Sequence, residues 1–193
     1  MTDSRLVPIV TSSKDVLAQL RGLDGGPTPE EFEIALSRIN RTDGPGLLFD
    51  YVFEDQEDLF GAIGRLGPIA SVVHKAWTSA EYPEDALGAD AWGLLFGWGD
   101  YRVDGEPADR PDSITLYRGA PEGRLRRMAW TSDRQIAENF ATGGMRGRPT
   151  GTVWTAEVLG EELLAQINER EEHEYLVDPS FLDDIAERAT PAE

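Results

Sequence analysis

Two acidic residues spaced by one, Glu172 and Glu174, stand immediately before the apolar run Tyr175-Leu176-Val177. In an extended segment, residues two apart share a side, so the pair would face one pocket while His173 faces away. Carboxylates held that close tend to raise the pKa of one partner. The run Glu169-Arg170-Glu171-Glu172-His173-Glu174 also has the look of a solvated charge cluster, but such a run usually ends in a helix or loop, and this one enters an apolar stretch. A second concentration of charge lies upstream. Residues 118–148 carry seven arginines against Glu122, Asp133 and Glu138, a net of +4, between flanks of −12 (1–117) and −10 (149–193). The forked guanidinium suits phosphate. The island therefore reads either as a pocket for a phosphorylated ligand or as a solvated basic face on an acidic chain. Within it, Arg118 follows Leu116-Tyr117 and precedes Gly119.

The elements that must position these residues follow from periodicity and punctuation. Residues 1–27 are polar, with a loop expected at Gly22 to Pro27. Thr28-Pro29-Glu30-Glu31 is a helix start, with Thr as cap, Pro in the first turn and Glu three residues after the cap. That helix should run through Phe32, Ile34, Ala35 and Ile39 and stop at Asp43-Gly44-Pro45-Gly46. Leu47 to Phe53 is an apolar run of ambiguous type. Asp55 to Leu66 and Pro68 to Ser79 read as amphipathic helices, and Ala89 to Trp98 as a buried helix. Gly105 to Pro111, charged and holding two prolines, marks the best boundary, dividing a helical region 1–112 from a core 113–193 that together form one compact domain. Ser113 to Tyr117 alternates as a strand does before a turn at Arg118-Gly119. Ser132 to Thr142 is expected to be a helix capped by Ser132 and Gln135, and Gly143 to Gly151 a glycine-rich loop. Thr152 to Leu159 and Glu174 to Val177 read as strands, and Pro179 to Arg188 as a final helix. Helices first and strands mainly second make the fold class α+β.

The 193 residues, 40% of them hydrophobic, suffice for one real core. There is no Cys, which excludes disulfides, thiolate zinc and a cysteine nucleophile, and the two His leave a histidine-rich metal site without ligands. No metal is expected. No apolar run is long enough for a membrane helix, and Met1 to Lys14 lacks the regions of a signal peptide, so the expectation is a soluble intracellular protein with no membrane partner. A formal net charge of −18 argues against sequence-independent nucleic-acid binding.

Three stretches then fall in a recognisable order: Leu116-Tyr117-Arg118-Gly119; Ala129-Trp130-Thr131-Ser132-Asp133 leading into Ile136-Ala137-Glu138-Asn139-Phe140-Ala141; and Glu172-His173-Glu174-Tyr175-Leu176-Val177. Together they resemble the mono-ADP-ribosyltransferases, whose signature is an Arg ending one strand, a Ser-Thr-Ser strand, and a Glu-x-Glu pair before a later strand. The resemblance covers roughly residues 113–179. It implies a small split β-sandwich with the helical half packed on it, NAD as substrate, and transfer of ADP-ribose to a target protein. Glu174 would stabilise the charge that develops on the ribose as nicotinamide leaves, a chemistry akin to glycoside cleavage. Glu172 would handle the acceptor, which points to arginine. Arg118 would hold the NAD phosphates, with Tyr117, Gly119, Trp130 and Thr131 completing the cofactor-binding set. Read from the residues alone, Trp130 and Phe140 are core. The family's first Ser, which holds the catalytic Glu by a hydrogen bond, is Ala129 here, while Thr131 keeps the third hydroxyl. Two other readings stand beside transfer: an NAD glycohydrolase, in which water is the acceptor, and a non-catalytic protein-binding module on the same fold. An effector of bacterial or phage origin, working in the cytoplasm of a bacterial cell, fits the size and composition.

Overall fold

The computed structural model describes residues 12–53, 59–98, 100–143, 150–169 and 171–192, which fall into two compact units, 1–86 and 87–193.

The first unit is helical. Ser12 caps α1 (Ser13–Arg21) by accepting the Asp15 N–H, and Val16 and Leu20, one turn apart, bury its inner edge. At α2 (Pro29–Ser37) the expected start is present as a reciprocal capping box. Thr28 Oγ1 accepts the Glu31 N–H at 3.3 Å, and Glu31 accepts the Thr28 N–H at 2.9 Å. The bonds its carboxylate accepts from the Thr28 N–H, and secondarily from the Thr28 hydroxyl, hold the Glu31 carboxyl below the ordinary carboxylate range. α2 ends at Ser37, short of Ile39. Asp43-Gly44-Pro45-Gly46 does more than interrupt: its Gly44 opens α3 (Gly44–Val52), with Pro45 in the first turn where its missing N–H costs nothing. The ambiguous run from Leu47 is therefore helix. α4 (Leu59–Leu66), a 3₁₀ turn at Gly67–Ile69, α5 (Ala70–Ser79) and the short α6 (Pro83–Leu87) follow. Residues 55–58, the start of the helix expected from Asp55, lie outside the described residues. Phe32, Leu48, Val52, Ile69, Val72 and Trp77 are all buried in this unit, and Phe32 meets Tyr51 edge-on with centroids 5.2 Å apart.

The second unit carries the sheet. After α7 (Ala89–Gly97) come β1 (Arg102–Val103), β2 (Glu106–Pro107), β3 (Ser113–Ala120), β4 (Ala129–Thr131), α8 (Arg134–Ala141), β5 (Thr152–Leu159), β6 (Leu163–Ile167), β7 (Glu174–Val177), α9 (Leu182–Arg188) and β8 (Thr190–Pro191). Where a split sandwich was expected, hydrogen bonding joins the strands into one mixed sheet of order β2-β1-β6-β7-β4-β3-β5-β8. Among the described residues, only β1–β6 is parallel. The narrowest join is β3–β4, which meet at the single pair Tyr117↔Thr131, whereas β3 and β5 pair along all eight residues.

Two differences from the sequence reading bear on the site. β3 does not end at Tyr117 but runs through Arg118 and Gly119 to Ala120. Gly119 permits this by lacking a side chain, since a Cβ there would overlap the Ala137 carbonyl oxygen of α8. The α8 cap is Asp133 rather than Ser132, its carboxylate accepting the Gln135 N–H at 2.8 Å and the Ile136 N–H at 3.4 Å. Among the described residues, no helix is long and apolar enough to cross a membrane.

Candidate functional site

Register brings three of the singled-out residues into one row. Tyr117 of β3 stands opposite Thr131 of β4, and Thr131 stands opposite Glu174 of β7. Directly opposed residues of antiparallel strands point to the same sheet face, so Tyr117, Thr131 and Glu174 share a face across three adjacent strands. Gly119 and Ala129 belong to that face by alternation. Glu174 is 9% exposed, an unusual degree of burial for a carboxylate.

The Thr131 hydroxyl works on the backbone. It donates to the Glu172 carbonyl at 2.6 Å and accepts the Asp133 N–H at 3.0 Å. The Ser132 N–H donates to the His173 carbonyl at 3.1 Å. The end of β4 thus holds the two residues that lead into Glu174, and at the same time fixes the approach to α8. This segment is a turn and not extended chain: Glu171 and His173 have φ of 56° and 45°, and Glu171 N–H bonds the Asn168 carbonyl at 2.8 Å. Both angles lie in the left-handed region that costs a non-glycine residue energy. The expectation that Glu172 and Glu174 share a side by strand alternation therefore lacks its premise, because β7 begins only at Glu174. Glu172 is half-buried.

Arg118 roots on the opposite face from Tyr117, yet its guanidinium returns to the same corner. Its Nε donates to the Arg124 carbonyl at 3.0 Å, and its Nη1 donates to the Ala129 carbonyl. The first carbonyl lies midway along the connection from β3 to β4 and the second at its β4 end, so the side chain, rooted near the end of β3, closes the connection like a clasp. The loop is fixed further by the buried Leu125 and Met128, by the Val177 N–H donating to the Met128 carbonyl at 2.9 Å, and by an Arg126–Asp183 ion pair at 2.5 Å.

Trp130, in the motif's middle position, is 2% exposed and donates its indole N–H to the Arg127 carbonyl at 3.1 Å. Its ring is packed in the core and not offered to a ligand. Tyr117 is half-buried. Of the glycine-rich loop, residues 144–149 lie outside the described residues. Among the described residues no group of three His, Asp or Glu is placed to hold a metal ion.

Sequence reasoning missed a buried phenol pair. Tyr101, before β1, is 3% exposed, and its hydroxyl has no hydrogen-bond partner among the described residues. Burial, and then its neighbour Tyr175, push its pKa upward, and burial pushes Tyr175 the same way. The backbone and side chains of Asp100, Tyr101, Pro107, Ala108, Asp109 and Arg110 surround an open cavity of about 490 Å³. None of these residues belongs to the motif row. The one readable signal here was Asp104-Gly105, whose positive φ values (51° and 85°) form the two-residue turn between β1 and β2.

No family model matches the chain, and it has no significant match to a curated protein or to a solved structure.

Proposed function

We propose that the chain is a mono-ADP-ribosyltransferase that moves ADP-ribose from NAD to an arginine side chain of a target protein. The observation that carries the proposal is the buried carboxylate of Glu174, set at the head of β7 opposite Thr131 and on one face with Tyr117. This places in one corner of the sheet the three stretches on which the family resemblance rests. Within the first stretch, the clasp from Arg118 to the Ala129 carbonyl ties its arginine to the second.

In the proposed reaction the bond between the ribose C1′ and the nicotinamide nitrogen breaks, and nicotinamide leaves with the electron pair. A bond forms between C1′ and a guanidino nitrogen of the acceptor, which gives up a proton. Glu174 stabilises the positive charge that develops on the ribose, and its burial strengthens that interaction by excluding water. Glu172 receives the acceptor guanidinium and its proton. Thr131 is a positioning residue: its hydroxyl donates to the Glu172 carbonyl and so orients the turn that carries Glu172 and leads into Glu174. With Ala129 in the place of a hydroxyl residue, the backbone bonds from Thr131 and Ser132 are the ties from β4 to this turn.

The test is incubation of the chain with NAD labelled in its ADP-ribose part and a bacterial lysate, beside Glu174→Gln. The expected result is labelled protein with the wild type and none with the variant. Nicotinamide release without protein label would make the chain a glycohydrolase. Absence of both would leave a binding module and overturn the proposal.

A further inference from the structure

Partner assignment separates the arginines of the basic island. Arg126 is paired with Asp183 and Arg134 with Glu138 at 2.9 Å. Arg118 is bonded to two carbonyls. Arg127 is half-buried and also engaged. Arg146 and Arg148 lie outside the described residues. Arg124 differs: it is exposed, and its side chain makes no hydrogen bond or ion pair among the described residues. Its backbone, by contrast, is held, because its carbonyl accepts the Arg118 Nε–H and its N–H donates to the Pro121 carbonyl at 2.8 Å. In a chain of net charge −18 with 36 acidic residues, an arginine fixed at its root and without a carboxylate among the described residues is a cation held ready for an external anion. Its fork matches a phosphate, and a preorganised backbone lowers the ordering cost of engaging one.

We infer that Arg124 is the residue that grips the diphosphate of NAD, while Arg118 holds in place the loop that presents it. This inference rests on the reading of the chain as an ADP-ribosyltransferase and deepens it. Arg118, near the end of β3, reaches across the connection to the carbonyl of Ala129, which lies two residues along β4 from Thr131, the residue opposite Glu174. The clasp therefore sets Arg124 beside the corner where the ribose is cleaved. The anionic middle of the dinucleotide meets Arg124 while its nicotinamide end reaches Glu174.

The test measures NAD affinity of the full chain by calorimetry at two salt concentrations, with Arg124→Gln, Arg124→Lys and, as a control from the same island, Arg134→Gln. Arg124→Gln is expected to weaken NAD binding by about tenfold to a hundredfold, the range for hydrogen bonds to a charged group. It should also flatten the salt dependence, because one ionic contact is gone. Arg124→Lys should keep the salt dependence and recover part of the affinity, and Arg134→Gln should bind as the wild type does. Circular dichroism melts that match the wild type would exclude loss of fold. Wild-type affinity in Arg124→Gln would overturn the inference and leave the proposed transferase standing, as would an equal loss in Arg134→Gln. Failure of the wild-type chain both to bind and to cleave NAD would overturn both.

Discussion

A carboxylate taken out of water must be given compensating interactions, and a turn built from left-handed residues must be held by its surroundings. Glu174 and the Glu171–His173 turn before it meet both conditions in a few residues, and Thr131 is the hinge of the arrangement. Thr131→Val keeps the shape and removes the hydroxyl, leaving the Glu172 carbonyl and the Asp133 N–H each short of a partner. A loss of about 1–3 kcal/mol is expected in denaturant unfolding. ADP-ribosyl transfer should drop further than the stability loss explains, and Thr131→Ser should restore both. Equal transfer by wild type and Thr131→Val would remove Thr131 from the account.

Tyr101 poses the reverse case, a buried hydroxyl without compensation. Tyr101→Phe is expected to stabilise the fold by roughly 1 kcal/mol, since the unpartnered group disappears and the ring stays. The raised pKa of the phenol in the folded state adds a pH dependence. Below the ordinary tyrosine range both states hold the proton and stability is unaffected. Above about pH 10 the unfolded chain ionises first, so stability falls as pH rises toward the folded value. Melts across pH 9 to 11 should show a shallower decline for Tyr101→Phe, with the remaining slope due to Tyr175 and the other tyrosines.

Among the elements, those most legible in the sequence were the ones with a single strong period. β5 alternates with Ala156 and Val158 inward, and its bounds are those expected; β7 likewise begins and ends as expected. β6 was missed because four of its five residues are buried, so Leu163-Leu164-Ala165-Gln166-Ile167 shows no alternation to read. β1, β2 and β8 are two residues each, too short to carry a pattern. α1 was read as polar because only Val16 and Leu20 mark its buried edge. For the site, the three stretches and their order were visible in the sequence. The β3–β4–β7 register, the clasp from Arg118 and the turn before Glu174 were not, because strand register, side-chain-to-backbone bonds and left-handed φ values at non-glycine residues leave no mark in local periodicity. The same holds for the anchor of α9. Buried Glu162 accepts from Arg188 at 2.7 and 2.8 Å and from the Leu159 N–H at 2.8 Å, binding that helix to the β5–β6 connection. Arg188→Ala strands the carboxylate and should lower stability by roughly 1.5–3 kcal/mol, read as a fall in the urea midpoint.

At the scale of the whole molecule the governing quantity is charge. A net of −18 over 193 residues makes the compact state self-repelling. Raising NaCl from low salt to about 0.3 M, where screening reaches well inside the ordinary Debye length, should raise the melting temperature. A fall would show that attractive pairs such as Arg126–Asp183 outweigh the repulsion. Under the proposed function, the basic island would supply the local cation that an anionic nucleotide needs on so acidic a chain.

The central claim is that Glu174 drives cleavage of the bond between nicotinamide and ribose, with transfer to a guanidino group. Its most direct measurement uses the purified chain, NAD and a small guanidino compound, with the acceptor followed by mass spectrometry. The account predicts an ADP-ribosylated acceptor and free nicotinamide from the wild type, and neither from Glu174→Gln at unchanged stability. Intact NAD with the wild type, or product from Glu174→Gln at the wild-type rate, would contradict it.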